Sequence, residues 1–155
     1  VIVVEPAQLR REKATEVGAD IVIDPSVDAT VDVVRKNTNG IGAELVFTAC
    51  PVFEVHEQAL EMVAPNGVVN LFGGIGKAEP PLEVFSNHIH YKQIYLTGSH
   101  GSTPAQHKRA LSIIENNCIS VNDLITHEIG IEDIHEGFKL ASDGKASKVV
   151  IKPQR

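Results

Sequence analysis

Five apolar runs recur along the chain at near-even spacing: Val1 to Val4, Ile21 to Ile23, Leu45 to Phe47, Val68 to Phe72 and Ile94 to Thr97. Their starts step by 20, 24, 23 and 26 residues. The apolar residues in each run are nearly continuous rather than alternating with polar ones, which is the pattern of parallel strands covered on both faces. Parallel neighbours cannot be joined by a tight turn, and each interval has room for one crossover helix. The spacing therefore predicts a series of strand–helix–strand units in a doubly wound α/β sheet.

The intervals carry helix signals. Ala7 to Val17 is closed by Gly18, a good residue for a left-handed C-terminal cap, with Leu9, Lys13 and Val17 loosely on one face. Ala29 to Thr38 has a short stripe of Val31 and Val34 and runs into Asn37-Thr38-Asn39-Gly40. Phe53 to Ala64 places Val55, Ala59, Leu60 and Val63 at helical spacing, and Pro65-Asn66-Gly67 turns the chain into the next strand. Thr103-Pro104-Ala105-Gln106 has the form of a capping box, with Pro at the first helical position. It predicts a helix with Ala110, Leu111 and Ile114 inward. Leu82 to Lys92, after Pro80-Pro81, reads as an irregular loop or a short helix. Beyond Cys118 the spacing shortens. Leu124 to His127 is expected as a strand, Ile131 to Ser142 as a helix with Ile131, Ile134, Phe138 and Ala141 inward, and Val149 to Ile151 as a closing strand. This last strand–helix–strand unit is expected to belong to a different sheet. The domain reading is 1–121 and 122–155.

Composition removes several classes of function. At 43% hydrophobic and 22% charged the chain is ordinary globular stock. No apolar run approaches the roughly 18 residues that cross a bilayer, so no membrane role is expected. A net charge of −6 argues against a phosphate-backbone footprint and so against nucleic acid as a partner. Two cysteines, Cys50 and Cys118, make no disulfide framework, which points to a reducing, cytoplasmic setting.

Candidate site residues cluster at the ends of the predicted strands. Glu5 ends the first run, and in a dinucleotide-binding fold an acid at a strand end takes the adenosine ribose hydroxyls. Its charge repels a 2′-phosphate, which favours NAD over NADP. Arg10 or Arg11, one turn into the next helix, can lie flat against an adenine. The phosphate-binding G-x-G-x-x-G expected about 20 residues upstream of the acid is absent. Gly40-x-Gly42 and Gly74-x-Gly76 do not complete it. Gly73-Gly74-Ile75-Gly76 nevertheless follows a strand, where glycine lets a ligand approach the backbone. Gly98-Ser99-His100-Gly101-Ser102-Thr103 also follows a strand and leads to a helix N-terminus, where small hydroxyls, a His and free amides can meet a cofactor. Each of these has a plainer reading: a solvated carboxylate, a surface cation, a flexible loop, a capped turn. His88-x-His90 suits a metal only from a strand, and no Cys, Asp or Glu stands near it at ligand spacing. No metal site is expected on this chain.

The segments VIVVEPAQLRREKATEVGAD, GAELVFTACP, NGVVNLFGGIG, HYKQIYLTGSHGSTPAQHKRAL and ITHEIGIEDIHEGFKLASDGKASKVVIKP together resemble the C-terminal part of zinc-dependent medium-chain dehydrogenases. The likeness is nearest to the sorbitol, threonine and related polyol dehydrogenases, and it runs over essentially the whole chain in matching order. It implies a partial Rossmann sheet lacking its first strand, followed by a return to the catalytic domain. It assigns Glu5 to the ribose and Arg10 to the adenine side. Phe72, Gly73 and Gly74 become the loop that passes the cofactor, and Ser99 and His100 the strand end near the nicotinamide. The family more often has Asp where Glu5 stands, and Cys-Thr-Gly where Ala49-Cys50-Pro51 stands.

The resemblance implies an NAD-dependent enzyme acting on a small-molecule alcohol or polyol. Its catalytic zinc would be held by residues preceding Val1, together with the first strand and the substrate pocket. No catalytic residue is expected on this chain. The strand at Ile94 to Thr97 would be a sheet edge that pairs in a homo-oligomer. Expressed alone, the 155 residues are expected to melt with poor cooperativity and to bind NAD weakly. Two other readings share these features: a zinc-independent quinone reductase of the same superfamily, and a nucleotide-sensing module without chemistry.

Overall fold

The computed structural model describes residues 1–154. The elements are β1 (Ile2–Val4), α1 (Gln8–Glu16), β2 (Ile21–Ile23), α2 (Thr30–Asn37), β3 (Ala43–Thr48), α3 (Phe53–Met62), β4 (Val63–Leu71), α4 (Ser86–Lys92), β5 (Tyr95–Gly98), α5 (Pro104–Glu115), β6 (His127–Gly130), α6 (Ile134–Ser142) and β7 (Val149–Lys152). Every strand pairing is parallel. The ladders are β1-β2, β3-β4-β5 and β6-β7. A doubly wound sheet without its first strand is expected to divide between its second-and-third and its fourth-to-sixth strands. The ladders divide at that place.

The chain groups into two compact units, Ala29–Gly101 and Val1–Asp28 with the segment from Ser102 onward. In the Ala29–Gly101 unit the core is Ala59 and Leu60 of α3, Val63 and Val69 of β4, and Ile94, with Val46, Leu71, Leu82 and Ile89 packed around them. α3 ends at Met62 rather than at Ala64, and β4 starts at once. Ala43 pairs with Val63 and Leu45 with Val68, so the four residues Ala64-Pro65-Asn66-Gly67 stand opposite Glu44 alone. The expected turn is thus held inside the strand. Asn66 takes a left-handed backbone (φ 61°), and a Cβ on Gly67 would lie 2.6 Å from Val63 Cγ2.

The sheet in this unit is not covered on both faces. Leu45, Phe47 and Tyr95 are exposed, while Val46, Val69 and Leu71 face the helices. Apolar residues on both faces of a strand show that it can be buried twice; they do not supply the second cover. Leu82 to Lys92 resolves into a loop and the short helix α4.

In the other unit, Val17 caps α1 and Gly18 follows with φ +101°, as its sequence position predicts. α5 opens on the full capping box: Thr103 Oγ1 accepts the Gln106 N–H, and Gln106 Oε1 accepts the Thr103 N–H at 2.7 Å. Its expected inward residues are not buried, and Leu111 is 59% exposed.

Two expectations after Cys118 are corrected. Asn122–Leu124 is a short 3₁₀ turn and the strand starts at His127. Ile131–Asp133 is also a 3₁₀ turn, and helix α6 begins at Ile134. Ile131, Phe138 and Ala141 are exposed, and Gly137 is the buried residue of α6. A Cβ there would lie 2.5 Å from Ile129 Cδ1 and 3.3 Å from Val149 Cγ1. The missing side chain lets α6 lie close against β6 and β7, and that contact, rather than the bulk of Phe138, sets which face turns inward.

Candidate functional site

The predicted site residues fall into two groups, one in each unit. In the first, Glu5 immediately follows β1 and its N–H donates to Ile23 O of β2 at 3.1 Å. The chain then turns into α1 within two residues, which brings the Glu5 carboxylate back over the start of that helix. Oε1 accepts the Ala7 N–H at 2.8 Å. Ala7 itself offers no capping side chain, and the first turn of α1 holds no acid. Glu5 therefore supplies the negative charge that a helix N-terminus favours. Its other oxygen, Oε2, lies 3.8 Å from Arg10 Nη1. That loose pairing leaves Oε2 with acceptor capacity.

Arg10 and Arg11 are separated by their surroundings. Arg11 Nη2 pairs with Asp24 Oδ2 at 2.7 Å, and Nη1 donates to Glu5 O at 2.9 Å. Arg10 makes only the long contact to Glu5, and its side chain is 43% exposed. Of the two guanidiniums Arg10 is thus the one left to meet a ligand. Asp24 is also fixed: Oδ1 accepts both the N–H (3.0 Å) and the hydroxyl (2.6 Å) of Ser26. The Ser26 hydrogen bonds, with the Arg11 charge behind them, hold the Asp24 carboxyl below the ordinary carboxylate range.

The second group lies at the carboxyl ends of β3, β4 and β5. Gly73 N–H donates to Thr48 O at 2.6 Å, and Ser99 N–H donates to Leu71 O at 3.3 Å. These bonds carry the ladder past the strand ends. Ser99 Oγ donates to Asn70 Oδ1 at 2.9 Å, which ties the β5 exit to β4. A Cβ on Gly73 would lie 2.6 Å from Cys50 O, so this position needs glycine for close approach to the Cys50 backbone. Gly74 has open space where a Cβ would stand. Phe72 is exposed, as is His100.

The first group thus offers a carboxylate oxygen in only a long ion pair beside an exposed guanidinium, and the second, in the other unit, a strand end with open space at Gly74. The residues present do not suit a metal. Among the described residues no three His, Cys, Asp or Glu side chains come together to hold an ion. His88 and His90 stand on α4 rather than on a strand, so two residues apart they point to different sides. His90 packs edge-on against Tyr91.

Sequence reasoning passed over Asn70, Asp24 and the role of Arg11. Asn70 has the signal of a polar residue inside an apolar run. Asp24 has only the weaker signal of an acid after a strand.

Residues 1–116 match the family described as zinc-binding dehydrogenase. The chain belongs to that family. Among curated relatives of this zinc-binding dehydrogenase chain, it is 35% identical to L-threonine 3-dehydrogenase from Thermococcus kodakarensis, over all of this chain and 44% of that protein. It is 29% identical to sorbitol dehydrogenase from Halalkalibacterium halodurans, over 94% of this chain and 42% of that protein. The crystal structure of 2R,3R-butanediol dehydrogenase from Bacillus subtilis superposes with a TM-score of 0.84 at 28% identity, over 99% of this chain and 43% of that one. The chain thus spans less than half the length of the relatives it matches.

Proposed function

We propose that this chain is the cofactor-binding part of an NAD-dependent dehydrogenase that oxidises a secondary alcohol or polyol. The observation that carries the reading is the Glu5 carboxylate, pinned at one oxygen by the Ala7 N–H and held at the other only by a long contact to Arg10. In this reading Oε2 accepts a hydroxyl hydrogen of the adenosine ribose, and its charge disfavours a 2′-phosphate. Arg10 lies against the adenine. The open backbone at Gly73 and Gly74 lets the cofactor pass close to the strand end beside Phe72. Ser99, steadied by Asn70, and His100 stand on the nicotinamide side. The bound nicotinamide supplies the hydride acceptor, while the protein binds, orients and excludes water. Zinc in such an enzyme acts as a Lewis acid on the substrate oxygen. The described residues offer it no ligand set, so no step on this chain runs through it.

The division into 1–121, which binds the cofactor, and 122–155, which returns to the catalytic domain, is supported by the separate β6-β7 ladder. A homo-oligomer is supported by β5, which lies at the edge of its sheet with all four residues exposed. A reducing, cytoplasmic setting is supported by the free thiols of Cys50 and Cys118. No helix among the described residues is long and apolar enough to cross a membrane.

The test is titration of the full-length protein with NADH and NADPH, followed by fluorescence enhancement. Tighter binding of NADH is expected; a preference for NADPH overturns the role given to Glu5. Metal analysis of the same sample is expected to find zinc, and its absence favours the zinc-independent reductase. A single monomeric species in sedimentation would contradict the oligomer.

A further inference from the structure

One side chain bridges three separate backbone and side-chain positions around Glu5, and nothing in the proposed chemistry uses it. Arg11 projects from α1 back toward the turn. Its Nη1 donates to Glu5 O at 2.9 Å and to Pro6 O at 2.5 Å, while Nη2 pairs with Asp24 Oδ2 at 2.7 Å. Asp24 directly follows β2, and Ile23 O, one residue earlier, takes the Glu5 N–H. Glu5 is thus held through its N–H by the end of β2, and through its C=O by a guanidinium that the next residue of the same strand end anchors. Arg11 and Asp24 are each about four-fifths covered, at 20% side-chain exposure. Ser26 fixes the other Asp24 oxygen with two hydrogen bonds. A planar fork with two separated nitrogens can serve both carbonyls and the carboxylate at once, whereas an ammonium carries its three donors on a single nitrogen.

We propose that Arg11 and Asp24 are positioning residues that set the direction of the Glu5 carboxylate and thereby govern discrimination between NAD and NADP. The proposal rests on the reading of Glu5 as the ribose acid. The Glu5 backbone is clamped from both sides, which fixes the direction of its Cα–Cβ bond, and the Ala7 N–H then holds one carboxylate oxygen. Asp24 has a second effect. It neutralises the guanidinium that lies against the Glu5 and Pro6 carbonyls, and so keeps Arg11 from recruiting a 2′-phosphate. Neither residue need touch the cofactor.

The experiment measures equilibrium dissociation constants of the full-length protein for NADH and NADPH by fluorescence titration, in the wild type and in Glu5→Ser, Arg11→Met, Arg11→Lys and Asp24→Asn. Glu5→Ser is expected to weaken NADH about tenfold through loss of a charged hydrogen bond, with little loss of NADPH. Arg11→Met is expected to weaken NADH severalfold while NADPH changes less, so the preference narrows. Arg11→Lys is expected to behave like Arg11→Met, because it keeps the charge and loses the fork. Asp24→Asn is expected to narrow the preference from the other side, by tightening NADPH. If Arg11→Met does not fold, Asp24→Asn decides by the same ratio. Equal weakening of both coenzymes, or an unchanged ratio in the Arg11 and Asp24 variants while Glu5→Ser collapses it, overturns the proposal and leaves the reading of Glu5 standing. An unchanged ratio in Glu5→Ser overturns both.

Discussion

Gly73 and Gly74 stand side by side in one loop and make opposite demands. A methyl group at Gly73 would strike the Cys50 backbone, at 2.6 Å from O and 2.8 Å from C and N. Backbone atoms cannot rotate aside, so Gly73→Ala is expected to destabilise by about 1–3 kcal/mol, the usual cost of overpacking. At Gly74 nothing stands within 4 Å of the added atom. Gly74→Ala is expected to leave stability within about 0.5 kcal/mol and to weaken cofactor binding. Thermal melts and coenzyme titrations of the two variants separate the effects; equal loss of stability would show that the loop packs differently. Neither demand is legible in the dipeptide. It marks a loop near a strand end, and only the approach of Cys50 separates the two glycines.

At the scale of elements, α4 carries an imidazole with a built-in pH response. His88 Nε2 is buried without a hydrogen-bond partner. Burial first, then the charges of Lys92 and Arg35, lowers the His88 pKa, with Glu61 opposing. A histidine lowered in the fold takes up its proton more readily when unfolded. Stability is therefore expected to be full above the ordinary histidine value of about 6.5 and to fall as pH drops below it. His88→Leu is expected to flatten that slope between neutral pH and pH 5 in denaturant titrations, and an unchanged slope would assign it to other groups. The helix start at Thr103 was readable in full, because a capping box is a local motif that needs no distant partner. Thr103→Ala is expected to cost about 1 kcal/mol, measured as a lower melting temperature. The strand at Leu124 to His127 and the inward face of α6 were misplaced for the converse reason. The 3₁₀ turn at Asn122–Leu124 and the contact of Gly137 with Ile129 and Val149 are not marked by apolar spacing, on which those expectations rest.

At the scale of the whole molecule, large apolar side chains remain uncovered. Phe47, Phe72, Phe85, Phe138, Tyr91 and Tyr95 are all more than half exposed. Folded chains rarely leave so many aromatic rings in water without a partner surface. The 155-residue chain expressed alone is expected to bind a hydrophobic dye and to give melting curves that differ between far- and near-ultraviolet dichroism. Coincident, sharp transitions would show that these surfaces need no cover.

The amino-acid sequence by itself determined the order of the elements from β1 to α5, α4 excepted, because apolar period, glycine caps and strand spacing are local properties. It also determined the candidate residues at the strand ends, and through its motifs the family. Only the tertiary structure decided which of two adjacent arginines is spent on the fold. Arg11 is claimed by Asp24 and two carbonyls and Arg10 is left exposed. Two cations at neighbouring positions look alike in a sequence, and their difference arises from which way the helix turns each toward the end of β2.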